Sequence, residues 1–226
     1  SDIKSYLQRV DKSSNISRYI DRYDAGEKIY LSSNLETIFA NLLEKKDTHV
    51  FKQMVIDRLD AEEDRQRVLF EHLKQWLSMH GIWKEWRDYR RIILEEIYPL
   101  HPISTYLLCN LTDWLQSRSS LTLLSEKVRS MGNCELDEGR PLPLIYPVDL
   151  LKGEFFNELL NAEEQGRQRS QFCILLNSIY CKFDTKLTDD ARSVLIANLI
   201  IRICRFRFEQ REELLLAIGE CTGLAR

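Results

Sequence analysis

Apolar residues return every three or four positions along almost the whole of this chain, the spacing of an amphipathic helix rather than a strand. Ser33-Asn34-Leu35-Glu36 reads as a capping box, and Leu35, Ile38, Phe39, Leu42 and Leu43 follow it at i, i+3, i+4, i+7 and i+8. Phe51, Met54, Val55 and Leu59 mark a second helix. Leu69, Leu73, Trp76, Leu77 and His80 mark a long third, ended by Gly81. Ile92, Ile93 and Ile97 bring a fourth to Pro99. With only 8 Gly and 5 Pro there is too little turn punctuation for a β-sandwich. The expected fold is all-α.

Pro102 suits the first turn of the next helix, where its missing N–H costs nothing. Residues before proline are driven toward extended geometry, which places Tyr98 and His101 outside helices. Ile103, Tyr106, Leu107, Leu111, Trp114 and Leu115 then share one face, and Leu121, Leu124 and Val128 another. Met131 to Pro147, rich in Gly, Pro and charge, is the one clear break. It divides the chain into a helical domain at 1–130, a linker at 131–147 and a second helical lobe at 148–226. That lobe carries Leu151, Phe155 and Leu159, then Phe172, Leu175, Leu176 and Ile179. Thr188-Asp189-Asp190 caps a helix running to about Cys204 that is apolar nearly all round and therefore central. Phe206-Arg207-Phe208 links it to a last helix with Leu214, Leu215 and Ile218. Two helices with a tight link near a chain end suggest a helix-turn-helix or winged-helix element.

Net charge is −3, which gives no overall basic field for nucleic acid. From Gln165 to Arg211, however, nine Lys/Arg stand against four acids. Within it Arg202, Arg205 and Arg207 are candidates to touch DNA phosphates, or else the charged edge of a buried helix. No apolar run approaches the roughly 18 residues of a membrane span. The six cysteines are scattered without metal or redox spacing, and no secretory signal opens at Ser1-Asp2-Ile3. Reduced thiols, a cytoplasmic location and no membrane contact are expected.

Catalytic chemistry finds little foothold. His49, His72 and His80 have no companion at metal spacing, and Glu62-Glu63 and Glu95-Glu96 lack a neighbouring histidine or nucleophile. Trp76, Trp83, Trp86 and Tyr89 fit packing between helices better than a platform for stacking bases. His101 is a candidate sensor of nucleotide state, because a helix N-terminus favours neutral imidazole and leaves an acceptor; a local helix cap is the favoured role. No Gly-x-x-x-x-Gly-Lys-Ser/Thr phosphate loop occurs, so no activity is expected of this chain alone.

Tyr98-Pro99-Leu100-His101-Pro102-Ile103, then a helix, then Arg118-Ser119-Ser120-Leu121-Thr122-Leu123-Leu124 resembles the lid of AAA+/STAND-type P-loop ATPases. The likeness is to large bacterial ATPases of phage-defence systems, including the bacteriophage-exclusion type. It extends to Asp21-Arg22-Tyr23, Lys28-Ile29-Tyr30-Leu31-Ser32 and Leu43-Glu44-Lys45-Lys46, and it departs at Ser117 and Ser119-Ser120. The resemblance implies a lid-like bundle followed by a winged-helix-like lobe, acting as a non-catalytic regulatory region. Arg118 would face the phosphates of ATP, with ATP and Mg²⁺ held by a separate core. Partners would be that core or other defence subunits, with DNA a further one. A helical adaptor without nucleotide, or a DNA-binding regulator, remains the alternative.

Overall fold

This computed structural model describes residues 35–111, 118–132, 134, 136–137 and 140–224. The expectations at Asp21 to Asn34 and at Trp114 to Ser117 lie outside the described residues. The structure is all-helical. Among the described residues, β pairing is limited to one isolated parallel bridge between Leu100 and Ile145. A winged helix needs a β-hairpin for its wing, so the C-terminal expectation reduces to two consecutive helices.

Helix α1 (Leu35–Leu42) buries Phe39. Thr48–Phe51, Lys52–Ile56 and Asp57–Ala61 run on as α2, with a π-helical middle. The Asp47 carboxylate caps α2 by accepting the amides of His49 and Val50. Helix α3 (Glu63–Trp76) buries Leu69, Phe70, Leu73 and Trp76. It stops short of the expected end at His80, because the chain turns extended at Leu77 and buries Leu77 and Met79. The Arg207 amide takes the Trp76 carbonyl at 2.9 Å, and the Trp76 ring packs between His72, Phe206 and Phe208. Trp83 and Tyr89 are likewise buried, with Trp83 edge-on to Tyr106 and donating from Nε1 to Glu36 at 2.7 Å.

Helix α4 begins at Trp86–Asp88 and continues as the π-helical Tyr89–Glu96. Helix α5 (Pro102–Asn110) touches α1 and α4, and it is buried nearly all round, including Ser104 and Thr105. Helix α6 is Arg118–Ser130. Its buried face is Ser120, Leu123 and Leu124; Leu121, expected inside, is exposed. Then come α7 (Pro147–Leu150), α8 (Glu154–Glu164), α9 (Phe172–Phe183), α10 (Asp189–Ile203) and α11 (Arg211–Thr222). Helix α10 packs on α7, α9 and α11, and α5 on α7, α10 and α11.

Buried apolar residues from Phe39 to Cys221 form one continuous core, and Leu35–Arg226 is one compact unit. The expected break at 131–147 does not interrupt that core. Its second half is fastened: the Ile145 amide donates to Pro99 O at 2.8 Å, and Ile145 O accepts from the His101 amide and the Ser104 hydroxyl. Leu142 and Ile145 are buried there. The glycines and charges of the first half gave the whole stretch the look of a linker, while two buried apolar residues hold the second half in place.

Candidate functional site

The richest polar arrangement lies where the turn before α5 meets α11. His101 is the N-cap of α5, with φ −63° and ψ 143°, as its place before Pro102 requires. Its carbonyl accepts from the Ser104 and Thr105 amides, and its Nδ1 accepts from the Ile103 amide at 3.3 Å. A ring nitrogen that accepts carries no proton, so the neutral imidazole is protonated at Nε2. Nε2 lies 3.1 Å from Oε2 of Glu220 and donates to it. The ring stacks on Tyr146 at 5.3 Å between centroids. Both nitrogens of this buried imidazole therefore serve the fold. The Tyr89 hydroxyl is buried close by, and burial together with Glu220 pushes its pKa well above the ordinary value.

Above this pair opens a cavity of about 230 Å³ between α3 and α11. Leu59, Leu69, Leu94 and Leu100 wall it, and the Glu220 side chain reaches it from α11. Arg65 and His72 stand among the lining residues of α3, and exposed Val68 and Leu216 flank the opening. Pockets for drug-sized ligands run roughly 300–1,000 Å³. This one is smaller, and its lining mixes leucines with Arg65, Gln66, His72 and Glu220.

At the end of α4, Lys45 donates from Nζ to the carbonyls of Glu96 and Tyr98 at 3.0 and 2.9 Å, with the Phe51 ring 4.9 Å away. Burial lowers its pKa to about 8, against the opposing pull of Glu96. The ammonium ties the loop after α1 to the C-terminal end of α4, where carbonyls favour a cation. All six cysteines are free. Burial pushes up the thiols of Cys109, Cys173, Cys204 and Cys221, which makes them poor nucleophiles. Among the described residues no group of three His, Cys, Asp or Glu is placed to hold a metal.

Arg118 is the first described residue of α6; its side chain lies outside what is described. The start of α6 is tied to α5 by Ser120, whose hydroxyl donates to Leu108 O at 3.3 Å. Arg202, Arg205 and Arg207 are all exposed, and among the described residues no carboxylate pairs with them. Arg205 has φ +56° and ends α10 in a Schellman arrangement, with its amide on Arg202 O and the Phe206 amide on Ile201 O. The three arginines therefore gather at one helix end, away from His101 in sequence and element. Helix α11, which a helix-turn-helix would insert into DNA, exposes Arg211 in its first turn together with Glu212, and Leu215 and Leu216 further along. No described helix is long and apolar enough to cross a membrane.

Glu220 and Glu163 escaped the sequence reading. No spacing in the sequence marks either of them, because each meets its partners on another helix. Comparison with protein-family models, with curated proteins and with solved structures finds no match for this chain.

Proposed function

We propose that this chain is a non-catalytic helical regulatory region that acts by binding protein, within an ATP-driven assembly of the phage-defence kind. The observation that carries the non-catalytic part is the engagement of both His101 nitrogens inside the fold, beside a cavity too small for a nucleotide. No lone pair of that imidazole is left to accept a proton from a substrate.

Nucleotide state would enter through Arg118, one end of a continuous physical path. A guanidinium stays charged and forks to two phosphate oxygens, so it suits a lid residue reaching into a neighbouring ATP site. Ser120 joins the start of α6 to α5, His101 caps α5, and Glu220 joins that cap to α11. A pull on α6 would thus be felt at α11. ATP and Mg²⁺ would belong to a core carrying the phosphate loop.

The test is reconstitution in trans with the P-loop core of the parent assembly. The expected result is co-elution of the chain with that core and a change in ATP turnover on its addition. Arg118→Ala should preserve the fold and lower turnover about 10-fold or more, as a lost charge-assisted contact of roughly 1.5–3 kcal/mol implies. A chain that neither co-elutes nor alters turnover would overturn the proposal.

A further inference from the structure

We propose that the cavity between α3 and α11 binds a small organic ammonium compound, with its apolar body among the leucines and its cationic head on Glu220. Space sets the size of the ligand. The cavity measures about 230 Å³, and an apolar cavity of about 150 Å³ is large enough for benzene. One ring, or a branched chain of similar bulk, with a single polar head is therefore the fitting scale. Leu59, Leu69, Leu94 and Leu100 offer that body an apolar wall.

Depth decides the sign of the head. The lining holds one acid, Glu220, and one arginine, Arg65. Arg65 is exposed on α3, and an exposed arginine lays its methylenes on apolar surface while its guanidinium stays in water. Salt screens its charge there. The Glu220 side chain is 30% exposed and stands against that of His101, which is 3% exposed. A charge beside such low-dielectric surroundings acts more strongly than one in water. The hydrogen bond that Glu220 accepts from His101 Nε2, at 3.1 Å, comes from a neutral ring. It orients the carboxylate without cancelling its charge. A carboxylate accepts several bonds at once, so an ammonium can join the imidazole on it. Tyr98 adds an aromatic ring to the lining, and such rings attract cations at their faces. A ligand carboxylate would set anion against anion at Glu220.

The inference goes beyond the regulatory reading and stands apart from it, because its test needs neither nucleotide nor a P-loop core. The probes are benzylamine, benzyl alcohol and phenylacetate, which share a ring and differ in the charge of the head. Titrations of the full chain, followed by amide chemical shifts, should show benzylamine binding at least about tenfold more tightly than the other two. The shifts should centre on α3, α11 and the turn before α5. Glu220→Gln keeps an oxygen for the His101 bond and removes the charge. It should weaken benzylamine at least about tenfold and leave benzyl alcohol unchanged. Leu216→Trp, at a half-exposed side chain beside the opening, should keep the melting temperature and block benzylamine. Arg65→Ala should leave benzylamine binding undiminished. Benzyl alcohol or phenylacetate binding as tightly as benzylamine, or no binding of any probe, would overturn the proposal. So would benzylamine binding that survives Glu220→Gln or Leu216→Trp, or that is lost with Arg65→Ala.

Discussion

Glu163 is 5% exposed, yet its carboxylate accepts four hydrogen bonds, from the Ser170 hydroxyl and the amides of Phe172, Cys173 and Ile174. Those amides are the first three of α9, which have no partner within their own helix. An anion there also meets the positive end of the helix dipole. Glu163→Ala leaves those donors without their acceptor and should cost roughly 3 kcal/mol, more than an ordinary lost cap. For a chain of this size that lowers the melting temperature by about 6–12 °C; a drop under 2 °C would refute the assignment. His101 and Glu163 do the same kind of work, one capping α5 and the other α9. His101 was legible because Pro102 fixes it at a helix start. Glu163 was not, because its donors lie across a turn, and helical spacing says nothing of contacts made between helices.

At the scale of elements, helix identity was legible almost throughout, since a 3.6-residue period survives whatever the helix packs against. Helix ends were less so. The end of α3 is set by the Arg207 amide at Trp76 O and by burial of Leu77 and Met79, which only the folded chain brings together. The exposure of Leu121 has the same origin: Ser120, bonded to Leu108 O, turns Leu123 and Leu124 inward instead. The segment 131–147 divides at Leu142. Before it, Gly132, Cys134, Asp137, Arg140 and Pro141 are exposed, and the Asp137 and Arg140 carbonyls accept from the Arg58 guanidinium; beyond it the chain is bonded to 99–104 and buries Leu142 and Ile145. Proteolytic nicking concentrates where backbone is exposed. Limited digestion with a nonspecific protease should therefore cut first between 131 and 141. First cuts within 142–150 would contradict the packing described.

At the scale of the molecule, one hydrophobic core joins α1 to α11 among the described residues, with α5 buried at its centre. Composition and periodicity made the all-helical class readable. The unity of the core was not, because Leu142 and Ile145 are too few to outweigh the surrounding charge and proline in a sequence pattern. His101 is buried in this core, and exposed apolar side chains are spread over α1, α2, α3, α6, α9 and α11. The proposed protein-binding role predicts that MgATP does not stabilise the chain. Thermal denaturation of the full chain, alone and with millimolar MgATP, tests this most directly. A ligand at 100 times its Kd adds about 2.7 kcal/mol, roughly 5–10 °C for a domain of this size. The expected result is an unmoved midpoint with MgATP; a rise of several degrees would contradict it.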